Sequence, residues 1–478
     1  MPDHFRPLEL LTLGVYLVAL LGIGLRSARQ VKTSIDYTLA GRNVSWVIVL
    51  ATTAATMVGG AMSVGFVSRV YEVGIAAAVV TIGAYISLIL TGLFIAPKLR
   101  GLDLITVGDY FDLKYGKLAR MLAAVLTIVT MCVIVVAQMV AMGTVTNTVL
   151  GVDYRIALAV GAAVTIFYST LGGLRAVIQT DVLQFVILVG GFGAAAAIFL
   201  GEHGGLQLLA ERVGAAHFEL TGTWSMTRVV TFLFAVFLGE SLAAPFVVRC
   251  LISKDPQGAK WGVAGAGVLL LLFLPMVTLV LGTAALADPG VNKAVLEAGG
   301  NAQIAFPTLM RTSFHPIFAG VMIAAIIAAV MSSADSCISC LATAVMEDVY
   351  RELKPQATDR QLLRVAKWTT FFAGVGAATC AFFFRDIVDL IEFSYDFWGA
   401  SMVVPFLVGT FFYRRQLIYA TVAAMAVGLA ASICWRFTFG MPWDISPALF
   451  GFTMGGVTVL ITYPLTRNLP LGRLFTPR

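Results

Sequence analysis

Long runs of apolar residues recur along almost the whole chain. Each run holds roughly 20 residues, enough for an α-helix to cross about 30 Å of hydrocarbon. The runs lack the strict alternation of a barrel strand, and only helices or closed barrels satisfy their backbone polar groups in lipid. The pattern predicts an all-α polytopic membrane protein with about thirteen transmembrane helices. The predicted spans are residues 8–26, 46–69, 75–97, 119–149, 154–171, 177–200, 228–248, 261–287, 315–346, 365–384, 387–412, 416–435 and 446–465.

Composition supports a single transmembrane domain covering residues 1–478. Of the 478 residues, 59% are hydrophobic and only 12% are charged, whereas soluble domains carry about 25% charged residues. The longest polar connections, residues 201–227 and 288–314, are too short to enclose a core of their own. We therefore expect the lipid bilayer to surround most of the chain.

The distribution of Lys and Arg predicts the orientation. Alternate loops hold 23 of the 32 basic residues, and short cytoplasmic loops retain positive charge. This asymmetry places the amino terminus outside and the carboxy terminus in the cytoplasm, with the chain in the plasma or inner membrane. The formal charge of +6 follows from this topology, so no nucleic-acid partner is expected. A monomeric state is one option.

The sequence carries no catalytic signature. Cys337 and Cys340 form a C-x-x-C pair, but a metal site would need further ligands at matching spacing. The phosphate-binding pattern G-x-x-x-x-G-K-[ST] does not occur, so ATP-driven pumping is not expected. We therefore expect a transporter rather than an enzyme, driven by an ion gradient or by the gradient of its solute.

Two spans contain residues that interrupt helices at similar depth. The second span has Gly59 and Gly60 near its middle, and the seventh has Glu240 followed by Ser241 and Pro245. Broken helices at corresponding positions of two halves indicate a midplane binding site in an inverted-repeat transporter. Close helix packing at the glycines and an ordinary kink at the proline explain the same residues equally well.

The ninth span contains a dense group of hydroxyl side chains and one carboxylate. These are Ser332, Ser333, Asp335, Ser336 and Ser339. The serines can simply bond back to the preceding helical turn. Sodium is the better explanation, because a hard cation prefers several oxygen ligands, which hydroxyls and unwound-backbone carbonyls provide.

Another intramembrane carboxylate follows a Gly-Gly pair. The segment YSTLGGLRAVIQTDVLQ, residues 168–184, places Asp181 shortly after the start of the sixth span. Charged residues inside spans indicate function by default. The alternative is a solvated carboxylate in the first helical turn, favoured by the helix dipole.

These segments resemble the sodium:solute symporter family. The resemblance rests on GRNVSW at 41–46, the segment 168–184, Arg249 followed by Lys254 and Asp255, and MSSADSCIS followed by MEDVYR. It implies thirteen helices around a 5+5 inverted-repeat core, with the amino terminus outside. The repeats would cover about residues 46–200 and 228–412, with the helices at 8–26 and 416–465 peripheral to them.

The resemblance also implies ion sites. The main sodium site would use carbonyl and hydroxyl oxygens of Ala54, Met57, Ala329, Ser332 and Ser333. A second cation site would use Asp181, Ser332, Asp335 and Ser336. Asp335 is a carboxylate where members with that site often have a hydroxyl, so the second ion stays open at this point.

The same family fold suggests a solute site around the two breaks. The candidates are Gly59, Gly60, Gln138, Glu240, Ser241, Tyr395 and Asp396. A carboxylate at Glu240 fits amino-bearing or polyhydroxyl solutes better than simple monocarboxylates, whose charge it would repel. Met57 and Ala243 stand where the choline-carrier branch has tryptophans, so an aromatic cage for choline is not expected.

The sequence thus predicts sodium-coupled symport of a small organic solute by alternating access. The alternative from another class is a membrane sensor that keeps the transporter fold, binds a solute and signals through a partner.

Overall fold

The computed structural model describes residues 7–477, apart from the side chain of Leu150. Of the residues it describes, 84% are helical. Within the described range there is no β-sheet, only an isolated bridge between Val44 and Ser253. The long helices and half-helices are α1 (Pro7–Ala28), α2 (Trp46–Met57), α3 (Phe66–Val73), α4 (Ile75–Leu90), α5 (Lys117–Leu150), α6 (Tyr154–Glu202), α7 (Met226–Glu240), α8 (Ala244–Ile252), α9 (Pro256–Ala287), α10 (Pro316–Ala344), α11 (Asp359–Cys380), α12 (Ile387–Phe411), α13 (Ile418–Phe437) and α14 (Pro447–Thr466).

Short helical segments connect these elements. The connecting α-helices are Ser34–Leu39, Ala96–Arg100, Val107–Tyr115, Leu206–Val213, Pro289–Glu297, Ala305–Ser313 and Arg351–Leu353. The 3₁₀ turns are Ala40–Arg42, Ala215–Phe218, Ala302–Ile304, Arg415–Leu417, Pro442–Asp444 and Arg473–Phe475. Wider π-helical turns occupy Ala61–Gly65, Thr91–Ile95 and Val345–Tyr350.

The helices support the prediction of an all-α membrane protein. Within residues 7–477, eight helices are long and apolar enough to cross a membrane, and ten if each bent pair counts as one span. The 49 residues of α6 would extend about 74 Å as one straight helix, more than twice the thickness of the hydrocarbon core of a bilayer. Gly173 interrupts α6 with φ 53° and ψ −155°, a conformation that favours glycine. The predicted count of thirteen is consistent with this arrangement.

Side-chain caps fix several helix starts at the ends of the bundle. Thr33 and Asp36 form a capping box on the helix Ser34–Leu39, satisfying its first backbone amides. Burial alone would raise the pKa of Asp36, but hydrogen bonds from Thr33 and Lys32 and the charge of Arg175 lower it below its usual value. The start of the helix Ser34–Leu39 is therefore held by a charged carboxylate.

Helix α10 lies at the centre of the bundle. In its most apolar segment 83% of residues are buried, compared with 28% in α1 and in α14. It packs against α1, α5, α6 and α11. Residues of α10 are therefore shielded from lipid, while α1 and α14 are largely exposed at the surface. The repeat boundaries stay a prediction.

The basic loops that the charge distribution assigns to the cytoplasm lie on one face of the bundle. Cross-loop contacts join Arg42 with Asp103, Ser34 with Asp359, Arg100 with the carbonyl of Ser253, and Lys117 with Glu352. Arg249 was counted with these loops, but it lies in α8 and has no exposed surface. The grouping of the loops fits the predicted topology, and the identity of the cytoplasmic face stays a prediction.

Candidate ion and solute site

The predicted interruption of the second span is present. Helix α2 ends at Met57, and the helical segment that resumes at Ala61 is bent from it by 56°. A Cβ at Gly59 would lie 2.7 Å from Cβ of Ser333, and one at Gly60 would lie 2.6 Å from Cβ of Ala141. Any larger residue at Gly59 or Gly60 would therefore collide with a neighbouring helix. The glycines allow this close packing in addition to the break in the span.

Gln138 on α5 supports the second half of the broken span. Its Oε1 accepts a hydrogen bond from the backbone amide of Gly60 at 2.7 Å. Amides at the start of a helix have no partner within the helix, so this side chain satisfies one of them. Gln138, Gly59 and Gly60, three of the predicted solute residues, are thus brought together at one point.

The serines of α10 meet the carboxyl end of α2. Ser332 Oγ lies 2.7 Å from the carbonyl oxygen of Ala55 and 3.0 Å from that of Ala329. Ser333 Oγ lies 2.5 Å from the carbonyl oxygen of Thr56. The last carbonyls of a helix lack intrahelical partners, so the break leaves oxygens free to face these hydroxyls.

The residues predicted to bind sodium lie together at this contact, but the carbonyl groups that face the serines are not the predicted ones. The predicted carbonyls were those of Ala54 and Met57, but the serine hydroxyls contact the intervening carbonyls of α2. The carbonyl of Ala54 accepts the amide of Val58 at 3.2 Å. Ala54, Met57, Ala329, Ser332 and Ser333 are all buried. An enclosed group of neutral oxygens of this kind suits a hard monovalent cation.

Asp181 is buried and ion-paired. Its Oδ2 lies 3.1 Å from Nη2 of Arg249 on α8, and neither side chain has exposed surface. Thr52 on α2 donates a short hydrogen bond to the same oxygen. The alternative of a solvated first-turn carboxylate is therefore wrong. The cost of burying the carboxylate is offset by the guanidinium beside it.

Arg249 also reaches residues beside the candidate ion site. Its Nη2 lies 2.9 Å from Thr56 Oγ1 and 2.5 Å from Ser336 Oγ. Two members of the predicted second cation site, Asp181 and Ser336, are therefore arranged around a guanidinium. A second sodium ion in the same place would be repelled by that charge.

Asp335, the remaining acidic member of that set, faces α6 instead. Its carboxylate accepts hydrogen bonds from the hydroxyls of Tyr168 and Ser169, and the side chain has no exposed surface. Within residues 7–477, no Lys, Arg or His forms an ion pair with it. The structure thus separates Asp335 from Asp181, because the two carboxylates point to different helices.

The seventh span is also interrupted. Helices α7 and α8 are bent by 44°, and Leu242 between them has φ 59°. Pro245 lies in the first turn of α8, so it starts a new helix and the interpretation as an ordinary kink is wrong. Glu240 Oε1 accepts a hydrogen bond from the hydroxyl of Tyr395 on α12 at 2.7 Å. Glu240 and Tyr395 are therefore brought together at the break.

The other two solute candidates have different partners. The hydroxyl of Ser241 bonds to the carbonyl of Phe237 at 2.6 Å, and its own carbonyl accepts Nε1 of Trp398 at 3.0 Å. Asp396 forms a short ion pair with Arg436 on α13. Consecutive residues of a helix point about 100° apart. Asp396 is therefore turned away from Glu240, which Tyr395 contacts. The structure does not bring Asp396 into the group around Glu240.

The residues that hold the buried carboxylates were not identified from the sequence. They are the guanidinium of Arg249 and several hydroxyl side chains. Arg249 lies one residue beyond the predicted end of the seventh span at 248. Extending that span by one turn would have marked it as an intramembrane charge in need of a partner. Tyr168 and Ser169 belong to the segment from which only Asp181 was selected. Thr52 and Thr56 gave no signal, because isolated threonines are common in apolar helices.

Comparison with known proteins gives a consistent result. A family model described as the sodium:solute symporter family matches residues 37–443. The osmoregulated proline transporter OpuE of Bacillus subtilis (strain 168) is 24% identical over 478 residues, which cover 96% of this chain and 95% of that protein. The sodium/sialic acid symporter SiaT of Proteus mirabilis (strain HI4320) is 24% identical over 481 residues, which cover 95% and 93% of the two chains.

A solved structure shares the fold. A substrate-bound, outward-open Na+-coupled sialic acid symporter aligns with a TM-score of 0.82 at 21% identity, covering 98% of this chain and 100% of that one. A nucleobase-cation-symport-1 family transporter aligns with a TM-score of 0.57 at 13% identity, covering 89% and 92%. At these identities the likeness concerns the fold alone.

Proposed function

We propose that this chain, which belongs to the sodium:solute symporter family, couples movement of a small organic solute to sodium binding at the break in α2. Members of the family are transporters and not enzymes, and sodium is their coupling ion. The chain is accordingly a multi-pass membrane protein that carries a small solute with sodium. The proposal concerns where the ion and the solute bind and how the two are linked.

The contact between α2 and α10 carries the proposal. Ser332 and Ser333 lie at hydrogen-bond distance from carbonyls at the carboxyl end of α2. A sodium ion there would replace these hydrogen bonds with bonds to the same oxygens, tying the two helices together. Binding that stabilises one arrangement of α2 and α10 raises solute affinity in that arrangement, because the coupling between the two ligands is reciprocal.

We place the solute between the two breaks. Gln138 is bonded to Gly60 at the first break, and Glu240 is bonded to Tyr395 at the second. The curated relatives include transporters named for proline, sialic acid, glucose and choline. A carboxylate at Glu240 favours amino-bearing or polyhydroxyl solutes over simple monocarboxylates. Choline is disfavoured because Met57 and Ala243 provide no aromatic cage.

A second coupling cation, where one is used, would bind at Asp335. Asp181 is already neutralised by Arg249, whereas Asp335 is held only by hydroxyls within residues 7–477. An uncompensated carboxylate in a dry interior is costly, so a monovalent cation beside Tyr168 and Ser169 would lower its energy. Transport would proceed by alternating access, with the amino terminus outside and the basic face in the cytoplasm.

Uptake by purified protein in liposomes tests the proposal. A panel of labelled amino acids, sugars and quaternary amines is presented with and without an inward sodium gradient. We expect the gradient to accelerate accumulation of one amino-bearing or polyhydroxyl solute above equilibrium. Sodium-dependent solute binding without any accumulation would overturn symport and favour the sensor alternative.

A further inference from the structure

One face of α11 changes from basic to apolar along its length. Its residues are spaced by three or four positions, which places them on a single helical stripe. The stripe consists of Arg360, Arg364, Lys367, Phe371, Val375 and Ala378. Helix α6 lies alongside, and Gly374 allows this approach because a Cβ there would overlap the side chain of Ile166. A groove therefore runs between the two helices.

The groove has a basic end and an apolar end that are continuous. The basic end is a cavity of about 970 Å³ lined by the three cations of the stripe, Lys32 and Trp368. The apolar end is a cavity of about 450 Å³ between α6 and α11. Thr170 and Phe371 line both cavities. The single feature therefore joins a positively charged chamber to a hydrophobic channel.

The cations at the basic end lack a protein counterion. Within residues 7–477, none of Lys32, Arg360, Arg364 and Lys367 forms an ion pair with a carboxylate. Asp359, the acidic residue that lines the cavity, accepts a hydrogen bond from Ser34 at 2.9 Å. Four like charges around one chamber repel one another, so an anion bound among them would be stabilised.

The apolar end is long enough to cross the hydrocarbon of one leaflet of a bilayer. The apolar end extends along α6 from Leu158 to Leu171, a distance of about 20 Å at 1.5 Å per residue. Half of a hydrocarbon core is about 15 Å thick. Trp368, 55% exposed, stands between the cations and the apolar residues, where aromatic rings mark the membrane interface.

The geometry points to a binding site for one anionic diacyl phospholipid of the cytoplasmic leaflet, independent of the ion and solute site. Arg360, Arg364, Lys367 and Lys32 hold the phosphate, and an acyl chain lies in the channel between α6 and α11. Basic pockets between transmembrane helices on the cytoplasmic side are suited to anionic head groups. A zwitterionic lipid fits the channel equally well but gains less from the four cations.

Native mass spectrometry of the full chain in detergent tests this site. The protein is titrated with phosphatidylglycerol, with phosphatidylcholine of the same acyl chains, and with inorganic phosphate. We expect at least about tenfold tighter binding of phosphatidylglycerol than of phosphatidylcholine, since each cation near a surface contributes a severalfold preference for anionic lipid. The triple variant R360Q/R364Q/K367Q should reduce that preference to about twofold.

Two matched variants control for charge and for shape. R414Q/R415Q/R467Q removes three exposed cations elsewhere on the same basic face and should keep the wild-type preference. Ala163→Phe fills the apolar channel without changing charge and should weaken the binding of both lipids. Ala197→Phe adds the same ring at an exposed position of α6 outside the groove and should leave the binding of both lipids unchanged.

Three results would overturn the site. The first is equal binding of the two lipids by wild-type protein. The second is an equal loss in R360Q/R364Q/K367Q and in its charge control. The third is that inorganic phosphate binds as tightly as phosphatidylglycerol and that Ala163→Phe changes the binding of neither. That result would indicate a simple anion site.

Discussion

Arg249 and Asp181 form an ion pair with no exposed surface, in which Nη2 lies 3.1 Å from Oδ2. The pair links α8, after the second break, to the second half of α6, and its guanidinium also contacts α2 and α10. Four elements around the ion site are therefore joined through one side chain.

Asp181→Asn or Arg249→Gln should destabilise the protein strongly. Removing one member of a buried pair leaves an uncompensated charge or unpaired donors and costs about 3–5 kcal/mol. Both variants should unfold at lower temperature in detergent. The double variant D181N/R249Q should lose less stability than the sum of the losses in the two single variants, because neither charge then remains. Additive losses would mean that the two groups do not interact.

If sodium binds at Ser332 and Ser333, removing both hydroxyls should raise the sodium concentration that uptake requires. Each hydroxyl contributes about 0.5–1.5 kcal/mol, so the variant S332A/S333A should need roughly tenfold more sodium for half-maximal uptake. Ser339→Ala removes a hydroxyl two turns beyond Ser332 on the same helix and should leave the sodium constant unchanged. The same sodium dependence in the double variant and in wild type would place the ion elsewhere.

The close approach at the first break predicts that Gly59 cannot be replaced. A Cβ at this position would lie 2.7 Å from Cβ of Ser333, and such overpacking costs about 1–3 kcal/mol. Gly59→Ala should therefore reduce uptake at limiting sodium by about tenfold. Gly190→Ala in α6, where nothing lies within 4 Å of the added carbon, is the matched control. Full activity of Gly59→Ala would show that the helices can separate at no cost.

Glu240→Gln tests the position of the solute. The substitution keeps an acceptor for the Tyr395 hydroxyl but removes the charge, so amino-bearing solutes should lose affinity relative to neutral ones. The apparent solute constant should rise more than the sodium constant. Competition by a solute panel against the labelled substrate measures both. An unchanged ranking and affinity would remove Glu240 from the solute site.

Asp335→Asn tests the second cation. A carboxylate that binds a coupling ion contributes to the ion-to-solute ratio, which reversal-potential measurements in liposomes report. We expect Asp335→Asn to lower that ratio or to weaken sodium dependence while the hydroxyls of Tyr168 and Ser169 retain an acceptor. Ser394→Ala serves as the control, because this buried hydroxyl of α12 bonds to the carbonyl of Ile391 in its own helix and to no other group within residues 7–477. The wild-type ratio in Asp335→Asn would leave Asp335 as a structural acid.

The sequence allowed the helices to be predicted and indicated where both breaks could lie, because each depends on local composition. Apolar runs of membrane length and the residues Gly59, Gly60 and Pro245 mark their own positions. The partners of the buried charges could not be predicted in this way. Asp181 and Arg249 are 68 positions apart, and nothing local indicates that α6 and α8 meet.

Neighbouring residues of one helix also proved misleading. Tyr395 and Asp396 were assigned to one pocket, but the helical rotation sends the first to Glu240 and the second to Arg436. The choice between the carbonyls of α2 likewise depends on how far the helix unwinds before it resumes at Ala61. Such details depend on three-dimensional packing and carry no pattern in the chain.

The double-glycine break has a consequence for how the protein can change over time. If the coupling ion is held by main-chain oxygens of α2, most substitutions along that helix alter the walls of the solute site without altering those ligands. Coupling and solute choice are then separable traits. A lineage could exchange one cargo for another through a few wall residues while its means of using the sodium gradient stays intact.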